Sequence, residues 1–414
     1  IRYLYSKELG YVSQKHVRMD KTSMSSFDIA IIGGGISGVG IAQYAAAAGY
    51  STLLIEKGEI GGQTSANSSK LIHGGLRYLE SGQVNLVRKS LLERRNLLDL
   101  APSLVKPVPF YIPVYQDSQR NPLTIRAGLS LYALLSEFDP LGRFVSIPAV
   151  HWHRFNGLKL TGLKAVFQYW DAQTDDKLLT QAVARSAQAL GAQIYAEAEF
   201  LQLNHLREHI ELSFRHCSQV QQIDAKLVIN AAGPWVNQVL ANVEPPLAGV
   251  EIDWVQGAHL LLDLPAPEGI LYLESCFDKR VIFVMPWYGQ MLIGTTETVL
   301  TSIDTPPQVT ESETHYLLGI YRHYFPLSPS IEELKAKIVQ TYCGVRVLPK
   351  QASSAFERPR DTLMQTSVSH PRLLSLYGGK LTTFRSTSAE VIEWIEQKLG
   401  KRPPIADVDS LRLT

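Results

Sequence analysis

The chain has 414 residues, enough for more than one layered core, and its 45% apolar and 19% charged content is that of an ordinary globular protein. Lys and Arg number 40 against 39 Asp and Glu, which excludes a global field that would recruit nucleic acid or anionic lipid. Cys217, Cys276 and Cys343 lie far apart with no C-x-x-C pair, so neither a disulfide framework nor a metal site is expected, only buried free thiols of a reducing compartment.

Residues 1–26 lack the apolar core of a secretory signal, and they read as a loose N-terminal extension with Met24 as the expected natural start. From Phe27, FDIAIIGGGISGVGIAQYAAAAGYSTLLIEK reads as strand, glycine turn, helix and strand. IAII is the continuous apolar run of a buried parallel strand, and the small residues from Gly38 to Gly49 let a helix sit close on a sheet. Within this unit Gly33, Gly35 and Gly38 form G-x-G-x-x-G, with Ile36, Ser37 and Lys57 beside the expected phosphate and ribose positions. The first glycine permits the tight turn, the second lets a pyrophosphate reach backbone N–H groups, and the third lets helix meet strand. Glu56 ends the second strand, where a carboxylate accepts hydrogen bonds from a ribose and repels a 2′-phosphate.

Next comes SSKLIHGGLRYLE, residues 68–80, with a histidine, paired glycines, an arginine and a tyrosine close together. Tyr78 to Ala101 reads as an amphipathic helix, and KPVPFYIPVY as the start of extended chain. PLTIRAGLSLYALLSEF, residues 122–138, reads either as an interfacial helix with Arg126 at the membrane surface or as a core-packed one. DDKLLTQAVARSAQALGAQIYAEAEF is a helix, a glycine and a strand, and KLVINAAGPW is a strand running into Gly233. Between Glu251 and Val347 alternating strands follow, WVQGAHLLLDL, GILYLES, RVIFVMPW and MLIGTTE, the last two joined by YGQ as a hairpin. RLLSLYGGKLTTFRSTSAEVIEWIEQKL closes the chain as strand, glycine turn and helix. The expected fold class is α/β: a discontinuous Rossmann-like nucleotide-binding domain (27–105, 166–245, 366–400) with an inserted, mainly antiparallel α+β substrate domain (106–165, 246–365).

FAD and NAD share the first motif. A late strand–glycine–helix element carrying Gly378 and Gly379, together with NAAGPWV, favours FAD, because a simple NAD dehydrogenase has no need of either.

GGGISGVGIA, TSANSSKLIHGGLRYLE, NAAGPWV, QGAHLLL, RVIFVMPW, IGTTE, CGVRVL and YGGKLTTFR occur in the order found in the FAD-dependent, respiratory glycerol-3-phosphate dehydrogenases, which the chain resembles from about Phe27 to Leu399. The resemblance implies a two-domain flavoprotein of the amino-acid-oxidase-like type. It would oxidise sn-glycerol 3-phosphate at C2 to dihydroxyacetone phosphate by hydride transfer to flavin N5, with electrons passed to quinone or another acceptor. By motif, Arg77, Arg346 and Arg360 match substrate-pocket arginines, and His259 and Lys380 match polar groups beside flavin and substrate. Further flavin contacts are expected from Ser68, Ser69, Lys70, His73, Gly74, Ala232, Gly233, Trp235, Leu381 and Thr382. The family's DDAR is DDKL here, with Lys177, and its GTTD is GTTE, with Glu297. The interval from Arg346 to Arg360 is one residue short, so Arg358 could take the role of Arg360. Many members continue into a C-terminal helical domain after the last flavin helix, which bears on the homodimer and on the quinone partner.

Arginine forks suit a phosphate monoester better than lysine does. A neutral imidazole is available near neutral pH to take the hydroxyl proton, with His259 the first candidate and His73 the second. Lys380 would offset negative charge at the cofactor, and Tyr78 would shape the pocket. Two rival readings share the fold: a flavin oxidase or dehydrogenase of another small hydroxy or amino acid, and a flavin-binding protein without catalysis. The expected location is the cytoplasm, with peripheral contact on the inner face of the membrane.

Overall fold

A computed structural model describes residues 25–414, apart from 138, 279 and 351–360. Two sheets organise it. Among the described residues the first sheet has nine strands. Its centre is Ser25–Ile32, parallel to Thr52–Ile55 on one side and to Gln219–Asn230 on the other. Gln193–Tyr195 extends it beyond Thr52–Ile55, and Leu373–Tyr377 pairs with the C-terminal end of Gln219–Asn230. The N-terminal part of that long strand instead joins an antiparallel ribbon with Ile210–His216 and Ala198–His205.

The helix Ile36–Ala47 buries eleven of its twelve residues. It is apolar all round, so it needs protein on every side. The sheet lies beneath it, and the helices Asp176–Ala189 and Phe384–Leu399 pack against it. The first of these is capped by Asp175, whose side chain accepts from Leu178 N. It ends near Gly191 at φ 98°, as the glycine in ALGAQ suggested.

The second sheet has ten strands among the described residues. Ile252–Leu262 runs antiparallel to Ile338–Pro349 along almost its whole length and also pairs with Gln290–Gly294. Val281–Trp287 and Gln290–Gly294 form the YGQ hairpin, with Tyr288 and Gly289 both at positive φ. Val105–Tyr115 pairs with Leu163–Thr174 from end to end, so residues 166–174 lie in this second sheet. The molecule is thus a Rossmann-like α/β layer interleaved in sequence with a mainly antiparallel sheet.

Two local expectations change. The amphipathic helix begins at Val84, not Tyr78, because a short 3₁₀ turn at Leu76–Leu79 and Gly82 at φ 71° intervene. Cys217 and Cys276 are exposed rather than buried, since both sit in turns at strand ends; all three thiols are free. The helix Pro122–Leu135 packs one face into the core through Ile125, Leu129 and Tyr132, while Leu123, Leu131 and Leu134 face outward. Among the described residues no helix is long and apolar enough to cross a membrane. Residues 1–24 lie outside the described residues.

Candidate active site

The glycine turn is shaped by what surrounds it. Gly33 has φ 109°, and a Cβ there would lie 2.5 Å from the Ala231 carbonyl oxygen. A Cβ on Gly38 would overlap the carbonyl oxygen of Gly33. Only hydrogen fits at either place, and the backbone therefore stays open to a ligand at the N-terminus of Ile36–Ala47. Glu56 braces this turn, its Oε2 accepting from Gly34 N at 2.6 Å and its Oε1 from Gly58 N at 2.8 Å.

The turn opens on a cavity of about 880 Å³ between the two sheets. Gly33, Gly35, Ile36, Ser37, Glu56 and Lys57 line it from the first motif. Ala232, Gly233 and Trp235 line it after the strand Gln219–Asn230, as do Gly378, Gly379, Lys380, Leu381 and Thr382 after Leu373–Tyr377. Ser68, Ser69, His73, Arg77 and Tyr78 contribute from SSKLIHGGLRYLE, and Arg346 from the opposite sheet. A glycine-lined cavity of this volume, with a helix N-terminus on its wall, fits a flavin dinucleotide.

Four expected residues stand behind this surface. Gly38 packs on Gly33. Gly74 donates to Asp171 Oδ1 at 3.3 Å, where a Cβ would strike Leu91 and the Tyr132 hydroxyl. Lys70 is buried at φ 62°, with Nζ 2.7 Å from Asp176 Oδ1 and 2.6 Å from the Ala66 carbonyl oxygen. Asp176 Oδ2 accepts in addition from Ser68 N and Oγ, so one carboxylate pins the start of the segment. His259 is 1% exposed, stacks on Tyr342 and meets Ser69 Oγ through Nε2 at 3.0 Å, one side chain away from the cavity. Burial, reinforced by Arg346 and Lys70, holds its pKa well below the ordinary value. Arg360 and its alternative Arg358 lie outside the described residues.

The polar wall is cationic. Lys380 Nζ sits 3.8 Å from the centre of the Tyr78 ring, and the Arg77 guanidinium lies 5.5 Å from the same ring. Beside them His73 is pulled down to about pKa 3 by burial and by the positive charges of Lys380 and Arg77, so its imidazole is neutral at pH 7. Its backbone N donates to Thr382 Oγ1 at 3.3 Å, joining this segment to the late glycine element.

Across the cavity, Arg346 crosses over Gly257, where a Cβ would come within 2.7 Å of its Nη2. Its Nη1 donates to Glu297 Oε1 at 3.2 Å. Arg280 is a further cation on the wall, absent from the sequence expectations; its Nη1 donates to the Glu297 carbonyl oxygen at 3.1 Å and its Nε to Asp278. The GTTE stretch and the Thr298 that follows it alternate in role. Thr296 and Thr298 donate to the buried Glu313, while Thr295 and Glu297 face the cavity. Glu313 also closes the capping box of the helix Glu311–Tyr324, and that T-x-x-E pattern was the readable signal for it. Asp176 lies in the DDKL run, but that motif alone did not show that Lys70 and Ser68 are its partners.

His209, Glu211 and Asp224 lie close enough to hold a cation, on the antiparallel ribbon and not on the cavity wall.

Comparison with known proteins agrees with this architecture. Residues 28–385 match the family described as FAD dependent oxidoreductase. The chain belongs to that family. A glycerol-3-phosphate dehydrogenase of Synechocystis sp. is 37% identical over 407 residues, covering 92% of this chain and 72% of that protein. A D-erythritol 1-phosphate dehydrogenase of Brucella abortus is 33% identical over 375 residues, covering 86% and 71%. The X-ray structure of the glycerol-3-phosphate dehydrogenase from Bacillus halodurans complexed with FAD superposes with TM-score 0.72 at 25% identity, covering 94% of this chain and 68% of that one.

Proposed function

We propose that the protein oxidises sn-glycerol 3-phosphate at C2 to dihydroxyacetone phosphate. The observation that carries this reading is the convergence of Arg77, Arg280, Arg346 and Lys380 on the same cavity that the dinucleotide turn opens into. A hydroxy acid, with a single carboxylate charge, would not require so many cations. A phosphate monoester carries about −1.5 to −2 charge with three acceptor oxygens, and it would use several of them.

When bound, FAD supplies the acceptor for the hydride leaving C2. Arg77 and Arg346 hold the phosphate by its oxygens. His73 takes the hydroxyl proton: it is neutral, faces the cavity and stands among the cations that would bracket the phosphate. The phosphate would cancel part of the charge that depresses His73 and so strengthen it as a base when substrate arrives. His259, the first candidate from sequence, acts one step back in this scheme, orienting Ser69. Lys380 offsets negative charge that develops in the site.

Electrons would then pass to a quinone. The outward Leu123, Leu131 and Leu134, with Arg126 on the same helix, suit contact with a membrane surface where such a carrier resides.

The test is anaerobic addition of sn-glycerol 3-phosphate to the purified yellow protein. Bleaching of the flavin band by it, and not by glycerol or lactate, is the expected result. D-erythritol 1-phosphate bleaching the band faster would move the assignment to a longer polyol phosphate. A band that none of them touches would discard the class.

A further inference from the structure

The 3₁₀ turn that carries Arg77 and Tyr78 lies between two residues able to act as hinges. Gly75 has φ 80° and Gly82 φ 71°, and no atom lies within 4 Å of where a Cβ on Gly82 would be. Between them the turn is gripped from outside the cavity. Glu80 receives Arg120 in a two-pronged pair, Nε to Oε1 and Nη2 to Oε2, the second at 2.8 Å. The remaining arm of the same guanidinium, Nη1, donates to Glu274 Oε1 at 2.8 Å, and Gln119 N donates to Glu274 Oε2 at 2.9 Å. Glu274 ends the strand Ile270–Glu274, which supplies Tyr272 to the cavity wall. One arginine thus ties the Arg77 turn to the neighbouring sheet. Its side chain is 11% exposed and that of Glu274 13%, so solvent screens this half of the linkage little, whereas Glu80 is 46% exposed. Arg120 itself is not among the residues lining the cavity.

We propose that Arg120 is a positioning residue for the reaction. By joining Glu80 to Glu274 it closes the glycine-flanked turn onto the second sheet, so that Arg77 and Tyr78 meet the anionic end of the substrate in a preset geometry. A planar fork satisfied on both edges fixes direction as well as distance, which a lysine cannot do. The inference rests on the phosphate-monoester reading above.

The test uses the FAD-loaded enzyme with Arg120→Met and Glu80→Gln, separately and combined. In Arg120→Met the Michaelis constant for sn-glycerol 3-phosphate rises roughly ten- to a hundredfold while kcat stays within about threefold. FAD content and visible spectrum stay those of the parent. Glu80→Gln moves the same constant in the same direction by less, and the double variant is no worse than Arg120→Met, as expected of partners in one clamp. Arg120→Lys recovers part of the loss. A Michaelis constant within about twofold of the parent, or a joint loss of kcat and FAD, would overturn the proposal. Glu80 is on the surface side of the clamp, so its variant decides the matter if Arg120→Met does not fold. A second reading is independent of substrate: backbone amides of residues 75–82 exchange hydrogen faster in the variants, and unchanged exchange would sink the clamp. If the parent is not reduced by sn-glycerol 3-phosphate, the substrate assignment fails while the exchange measurement still judges the clamp.

Discussion

On the side of the first sheet the cavity is a backbone surface. Gly33, Gly35, Gly233, Gly378 and Gly379 line it, and what matters at the turn is the side chain that is missing. On the side of the second sheet it is a side-chain surface, with Arg346, Arg280 and Tyr272 on strands or strand ends. Their directions are set by partners such as Glu297, and Glu297 is in turn framed by Thr296, Thr298 and Glu313. On the function proposed above, the first wall would bind a large cofactor through groups every residue possesses, so its requirement is space. The second would discriminate a small anion through groups few residues possess, so its requirement is support. Damage should therefore be abrupt on the first wall and graded on the second.

The most abrupt case is Gly38→Ala. Its methyl would overlap the Gly33 carbonyl, which is backbone and cannot rotate away, so the turn itself must shift. The expected outcome is a folded but nearly colourless protein, retaining less than about a tenth of the parent's flavin, because small displacements of a preorganised site cost large factors. The ratio of flavin to protein absorbance after purification measures it. Full retention would mean that this turn does not hold the pyrophosphate.

The seam between the walls should respond less sharply. Asp176 serves Lys70 and Ser68, and both side chains of the Lys70–Asp176 pair are buried. Asp176→Asn keeps the shape but strands the ammonium. A loss of about 3–5 kcal/mol is expected, as for other buried pairs stripped of one partner. The measurement is the denaturant midpoint of the FAD-loaded protein. A change below about 1 kcal/mol would mean that water replaces the lost carboxylate oxygen, as at exposed ion pairs.

The same contrast explains what could be read in advance. The glycine turn, its flanking strands and the late YGGKLTT element are local in sequence, and a local motif reports its own geometry. Lys70 sits inside a flavin-signature segment yet turns away from the cavity, because its partner is Asp176, 106 residues further on. His259 lies on the same strand face as the cavity-lining Gly257, but it is buried against Ser69 and Tyr342, and Ser69 is the one that reaches the cavity. Arg280 opens the RVIFVMPW segment, but nothing local to that segment aims its side chain at the cavity. Only the pairing of its strand with Gln290–Gly294 brings it to Glu297. Register between distant strands decided these cases, and register is not written in any short window.

The gentlest test of the side-chain wall is pH. His73 is held near pKa 3 and His259 well below its ordinary value, burial being the main cause for both. Lys380 and Arg77 add to it for His73, and Arg346 and Lys70 for His259. In the unfolded chain both imidazoles take protons near pH 6.5; in the folded protein they do not. The unfolded state therefore binds more protons below that pH, and stability falls as pH drops from about 6.5 toward about 3, each group adding a slope of at most about 1.4 kcal/mol per unit. Asp28 works in a lower window. Burial opposes its charge, but Arg402, Lys226 and Ser51 overcome that and depress its pKa, so its contribution is lost only below the ordinary carboxylate range. Between pH 4.5 and 6.5 the histidines should thus dominate, with His205 and His323, also lowered by burial, adding to the slope. His73→Asn should flatten the fall of the denaturant midpoint across that interval while leaving the midpoint at pH 8 within about 1 kcal/mol of the parent. An unaltered slope would mean that His73 titrates in the folded protein as it does in the unfolded chain, so that neither burial nor the cations around it depress it.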